Sequence, residues 1–113
     1  MQLSEKEVKE LVENKEMEMG EDFFEYHDLN TDSVRDVILV DFKNHLTEAE
    51  YNDVVEDDVE MFDLRNLYHS IDSLFDISEE RQKELENVFF ASLTKLLNSN
   101  EEMMQQFLDS LKD

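Results

Sequence analysis

Carboxylates are the side chains of this chain with the most evident chemistry. Its 113 residues include 31 Asp and Glu against 10 Lys and Arg, for a formal net charge of -21. Residues 16–63 hold 17 acids and two bases, Arg35 and Lys43. Acidic side chains three or four residues apart on a helix lie about 5–6 Å from one another at Cβ and repel, whereas interleaved Glu and Lys attract. A surface of this kind favours a basic partner at a cost in stability.

Two stretches within residues 16–63 contain no Lys or Arg, and together they are the predicted partner-binding surface. The first comprises Glu16, Glu18, Glu21, Asp22, Glu25, Asp28 and Asp32. The second comprises Glu48, Glu50, Asp53, Glu56, Asp57, Asp58, Glu60 and Asp63. Duplex DNA carries one charge per about 1.7 Å of its axis, a density that a few adjacent acidic helices approach. We expect this surface to imitate a phosphate backbone. The alternative is that the charge serves only solubility.

In size, charge and predicted helicity the chain resembles phage-encoded DNA mimics such as anti-restriction and anti-CRISPR inhibitors. The resemblance implies a stoichiometric inhibitor of a basic DNA-binding protein. The same electrostatics suit an immunity protein or antitoxin that neutralises a basic nuclease, which is the alternative hypothesis. Direct binding to nucleic acid or to an anionic membrane is not expected, because the chain lacks the basic surface that such binding requires.

Catalytic and metal-binding motifs are missing from the sequence. His27, His45 and His69 are widely spaced and form neither a Glu-x-x-His nor an HExxH motif. With no Cys and a single Gly, the chain has no thiol chemistry and no glycine-rich phosphate loop. We therefore expect no enzyme, no cofactor and no metal centre.

One short segment matches part of a calcium-binding loop. Four side chains follow the spacing of loop positions 1, 3, 5 and 9: Asp28, Asn30, Asp32 and Asp36. In these residues the segment resembles the EF-hand family, with Ser33 at the usual glycine and Leu39 at the usual closing glutamate. The resemblance implies a degenerate calcium-binding module as a second alternative. The structural explanation is a polar helix connection capped by Thr31 or Asp32.

The elements that must carry these side chains are predicted to be helices. The chain has no Pro and one Gly and is rich in helix-forming residues. This composition predicts an all-α fold: a compact bundle of about five to six helices in a single domain spanning residues 1–113. Ser4 and Glu7 form a capping box for a helix from Glu5 to Met19, which Gly20 ends. A short helical turn through Phe23, Phe24 and Tyr26 follows.

Further helices are predicted from caps and apolar periodicity. The apolar face of the next one is Val34, Val37, Ile38, Phe42, His45 and Leu46, with a strand as the competing assignment for residues 37–40 only. Thr47 and Glu50 repeat the capping box, and Asp57 or Asp58 caps an apolar stripe continuing from Val59 to Phe75. Ser78 starts a long helix, and Ser99 with Glu102 marks the last one.

The apolar C-terminal helices, residues 79–112, are predicted to form the scaffold of the core or the seam of a homodimer. Met residues at helical spacing, including Met17, Met19, Met61, Met103 and Met104, are predicted to fill the core rather than form a binding face. The longest aliphatic run, residues 37–40, is far too short to span a bilayer. No signal peptide pattern is present, so we expect a cytoplasmic protein.

Overall fold

The computed structural model describes residues 2–21, 23–26, 37–38, 40–55 and 78–112, with the backbone alone for residues 25, 26 and 53–55. The regular elements in these ranges are α1 (Glu5–Met19), α2 (Phe23–Tyr26), α3 (Val40–His45), α4 (Glu48–Val55), α5 (Glu79–Ser99) and α6 (Glu101–Lys112). Each of them is a helix. The predicted all-α fold is confirmed, with six helices in the described ranges.

Helix α1 has the bounds that its terminal residues predict. The Ser4 hydroxyl accepts from the Glu7 amide at 3.1 Å, and the Glu7 carboxylate accepts from the Ser4 amide at 3.0 Å. At the other end Gly20 has φ 73° and donates its N–H to the Glu16 carbonyl at 2.8 Å. A residue with a Cβ is strained in this left-handed conformation, which is why a glycine stands there.

The core is built on α5 and α6. Its largest fully buried side chains are Phe23, Phe24, Phe42, Phe89, Phe107, Ile38, Leu85 and Leu93. The two phenylalanines of α2 insert between the long helices: Phe24 meets Phe89 edge to face at 5.4 Å between ring centroids, and Phe23 meets Phe107 at 5.9 Å. Each fully buried side chain of this size contributes about 1.5–3 kcal/mol, so a four-residue helix is held by its aromatic residues.

Helix α6 starts differently from the prediction. Ser99 belongs to α5 and donates its hydroxyl to the Leu96 carbonyl at 3.1 Å, so the predicted Ser99 cap is wrong. Asn100 caps α6 instead, because its backbone is extended and its side-chain oxygen accepts from the Met103 amide at 3.0 Å.

Two predicted apolar positions are also wrong. Met17 is 81% exposed, because it lies about 200° around α1 from Lys15, which is on the buried face of the helix. His45 is exposed at the end of α3, where Nδ1 donates to the Asp41 carbonyl at 2.8 Å. Met103 and Met104 are in the core as predicted, and Met19 is half-buried.

Several predictions fall outside the described residues. They concern the segment that resembles an EF-hand, the caps at Thr31 or Asp32 and at Asp57 or Asp58, the stripe from Val59 to Phe75, Met61, His27 and His69. A strand is the competing assignment for residues 37–40, but Val37 and Ile38 have π-helical backbone and Val40 begins α3, so these three residues are helical as predicted. Within the described ranges, no helix combines the length and apolarity that a bilayer crossing needs.

Candidate interaction surface

The structure describes the side chains of five residues of the predicted partner-binding surface: Glu16, Glu18, Glu21, Glu48 and Glu50. Glu25 lies in α2 and Asp53 in α4, both with backbone alone. The remaining eight lie outside the described residues: Asp22, Asp28, Asp32, Glu56, Asp57, Asp58, Glu60 and Asp63. The five described carboxylates fall into two groups, one around the carboxyl end of α1 and one in the first turn of α4.

The acidic side chains of α1 are mostly exposed, whereas most of its lysines are not. Its exposed acids, with one just beyond its end, are Glu5, Glu7, Glu10, Glu13, Glu18 and Glu21. Of its three lysines only Lys6 is exposed. Lys9 is half-buried and donates to the Asn87 side chain of α5 at 3.4 Å, and Lys15 is buried. The outer face of α1 is therefore more acidic than its sequence, because two of its three cations point inward.

Lys15 lies on the buried face with Val8 and Val12, where only 4% of its side chain is exposed. Its aliphatic stem packs with the apolar residues, and its ammonium lies 3.6 Å from a carboxylate oxygen of Glu18, which is 73% exposed. The Lys15 ammonium thus forms an ion pair with a carboxylate at the protein surface. The sequence signal for this burial was the spacing: residues 8, 12 and 15 share one helix face.

The same asymmetry holds across the described part of the chain. Thirteen Asp and Glu side chains are exposed there, against five Lys. The other three described bases, Lys9, Lys15 and Arg81, are half-buried or buried. Four of the seventeen described acids are half-buried as well, so the ratio of exposed acids to exposed bases is only slightly higher than in the described sequence as a whole.

Two of the predicted contact residues have structural roles. Glu16 accepts a hydrogen bond from the Phe23 amide at 3.1 Å, so its carboxylate satisfies the amino end of α2. Glu50 closes the capping box of α4, because its carboxylate accepts from the Thr47 amide at 2.9 Å and its own amide donates to the Thr47 hydroxyl at 3.1 Å. The side chains of Glu18, Glu21 and Glu48 are exposed to solvent.

Glu50 also forms a two-pronged ion pair with Arg81 of α5. Arg81 Nε donates to Oε2 at 3.0 Å, and Nη2 donates to Oε1 at 2.7 Å. The Glu50 side chain is 13% exposed and that of Arg81 is 29% exposed. The hydrogen bonds from Arg81 lower the pKa of Glu50 to about 2, against the opposing effect of burial, and the pKa of Arg81 is raised by the same contact. This carboxylate is occupied within the fold and is a poor group for mimicking a phosphate.

Arg81 is the residue that the sequence analysis missed. The signal was present: Ser78 is a cap, and the third helical residue after such a cap is commonly Glu or Gln, whereas here it is Arg. A base at that position indicates a partner elsewhere in the fold.

A groove of about 370 Å³ between α1, α3 and α5 contains other polar groups. On its wall, Asp41 accepts from the Ser92 hydroxyl at 3.2 Å, and Lys95 lies 3.7 Å from the same oxygen. Because Ser92 donates to a carboxylate and His45 donates to a backbone carbonyl, this imidazole is not directed at the hydroxyl as a general base. Elsewhere in the described ranges, no three metal-ligating side chains cluster.

Comparisons with protein-family models, with curated proteins and with solved structures gave no match to this chain.

Proposed function

We propose that this protein inhibits a basic DNA-binding protein by presenting carboxylates where that protein normally holds phosphates. The observation that carries the proposal is the arrangement of charge on α1, where five of the six acids are exposed whereas Lys9 is half-buried and Lys15 is buried. The exposed face of α1 therefore carries five acids and one base, Lys6, an excess of negative charge that attracts the basic groups of a DNA-binding cleft.

The proposed contact is electrostatic, which affects both the distance over which the partners attract and the rate at which they associate. Exposed carboxylates on α1 and at the start of α4 attract the Lys and Arg of a DNA-binding cleft and steer association at low salt. These contacts weaken as ionic strength rises, because the Debye length falls from about 30 Å at 0.01 M to about 10 Å at 0.1 M. Inhibition is accordingly competitive with duplex DNA. We place this activity in the cytoplasm, where such targets meet DNA.

The test begins by capturing the target from bacterial lysate and identifying it by mass spectrometry. Duplex DNA and this protein are then titrated against the target across a salt series. Mutual displacement that weakens with salt supports the proposal. A ternary complex with both bound contradicts it, and a cognate nuclease in such a complex identifies an immunity protein or antitoxin instead.

Matched charge reversals locate the contact. Glu18, Glu21 and Glu48 are replaced together by Lys, and Glu79, Glu80 and Glu102 form the control set, since all six are exposed glutamates. Both sets change the net charge equally. We expect the first set to weaken binding at least about tenfold more than the control, a difference of about 1.4 kcal/mol. Equal losses would show that the target responds to total charge and not to this surface.

A further inference from the structure

Arg81 occupies a helix position that favours the opposite charge. It is the third residue of α5 after the Ser78 cap, whose hydroxyl accepts from the Arg81 amide at 3.1 Å. The equivalent residues of α1 and α4 are Glu7 and Glu50. A cation in the first turn opposes the helix dipole. Within α5, Arg81 offsets this cost by pairing with Glu84 one turn later, at 3.0 Å.

Arg81 lies where the ends of three helices meet. Its guanidinium binds the Glu50 carboxylate in the first turn of α4 through two hydrogen bonds. Nη2 also donates to the carbonyl of His45 at 2.6 Å, and His45 is the last residue of α3. One planar side chain thus joins the end of α3, the start of α4 and the start of α5. The fixed geometry of a guanidinium makes such a contact directional, which a lysine ammonium does not.

We propose that Arg81 and Glu50 are a positioning pair that sets the direction of α4 relative to α5, and thereby presents the exposed carboxylate of Glu48, in the first turn of α4, to the partner. The presentation of α4 to a partner, the partner half of this inference, rests on the proposed function. The direction of α4 relative to α5, the positioning half, does not. A second contact, Lys43 over the Tyr51 ring at 5.1 Å, ties α4 to α3 and not to α5. Tyr51 of α4 also packs against the hydrophobic core, so the pair adds a directional polar contact to an apolar one.

The two members of the pair separate positioning from net charge. Glu50→Gln removes one negative charge, and Arg81→Met removes one positive charge. If binding follows net charge, the first variant binds the captured target more weakly and the second more tightly. If the pair positions α4, both variants lose affinity, each by about tenfold.

The positioning itself is measured by double electron–electron resonance. The chain has no Cys, so Asn52→Cys on α4 and Gln106→Cys on α6, both exposed, accept spin labels without further changes. The parent gives one narrow distance distribution, and Glu50→Gln and Arg81→Met each broaden it. Arg81→Lys, which keeps the charge and loses the two-pronged geometry, broadens it less and serves if the Met variant fails to fold.

Two controls test whether any change near the junction has the same effect. Glu84→Gln removes the other carboxylate bound by Arg81, at 3.0 Å within α5, and Thr47→Ala removes the hydroxyl of the α4 capping box without touching Arg81. Both leave the distribution narrow.

A distribution that stays narrow in every folded variant overturns the inference. Broadening accompanied by affinity changes of opposite sign in Glu50→Gln and Arg81→Met overturns its partner half. The distance measurement needs no partner, so a target that binds DNA and this protein together rejects mimicry while leaving the positioning result intact.

Discussion

The amino ends of α1 and α4 are closed by the same motif and differ in what its glutamate contacts beyond it. Ser4 and Glu7 satisfy each other's backbone amides, as do Thr47 and Glu50. Glu7 is exposed, whereas Glu50 extends across to Arg81 of another helix. A capping box therefore identifies where a helix begins but not whether its carboxylate is bound elsewhere in the fold.

The largest expected difference lies between the two glutamates. Glu50→Ala leaves a half-buried arginine without its main partner and should lower the free energy of unfolding by about 2–3 kcal/mol. Glu7→Ala removes only the local hydrogen bond and should cost about 0.5–1 kcal/mol. Urea unfolding followed by circular dichroism measures both. Equal losses would show that Arg81 contributes nothing beyond the cap.

Acid should weaken the contact between Glu50 and Arg81 at the start of α4. The pKa of Glu50 is lowered to about 2 in the folded protein, so its stabilising contribution is present above its ordinary pKa near 4.5 and is lost as pH falls through about 2. Protonation of the crowded surface acids relieves repulsion and acts in the opposite direction. The difference in stability between the parent and Arg81→Met isolates Glu50: it should shrink between about pH 4.5 and pH 2. A difference independent of pH would contradict the ion pair.

The hydroxyl groups of the two capping boxes should contribute equally to stability. Ser4→Ala and Thr47→Ala each remove one acceptor for a backbone amide, at 3.1 Å in both helices, and should each cost about 1 kcal/mol. Thermal or urea melts of the two variants test this. If Thr47→Ala loses much more stability than Ser4→Ala, the threonine hydroxyl also helps to hold Glu50 against Arg81.

The smallest expected effect concerns the exposed face of α1 away from its cap. Glu10 and Glu13 are exposed and three residues apart, so replacing both by Gln should raise stability by a few tenths of a kcal/mol at low salt. Added NaCl should raise the melting temperature of the parent and reduce this gain, because salt screens the repulsion. A gain that persists at high salt would point to helix propensity instead of charge.

Local chemistry made much of the fold predictable. The bounds of α1, the short α2 and the start of α5 follow from caps, from Gly20 and from apolar spacing, which act over three or four residues. The start of α6 was misplaced by one residue, because Ser99 and Asn100 are both good caps and the choice depends on where the α5 backbone leaves the helical conformation.

The site was less predictable than the fold, because a sequence does not show which way its charged side chains point. Composition determined that the chain is strongly acidic, and the prediction of a basic partner rests on that. Tertiary packing decided which charges reach that surface: it turned Lys9 toward Asn87, buried Lys15 and joined Glu50 to Arg81. The physical reason is that caps and helix periods depend on near neighbours in the chain, whereas Glu50 and Arg81 are 31 residues apart and meet only when the helices pack.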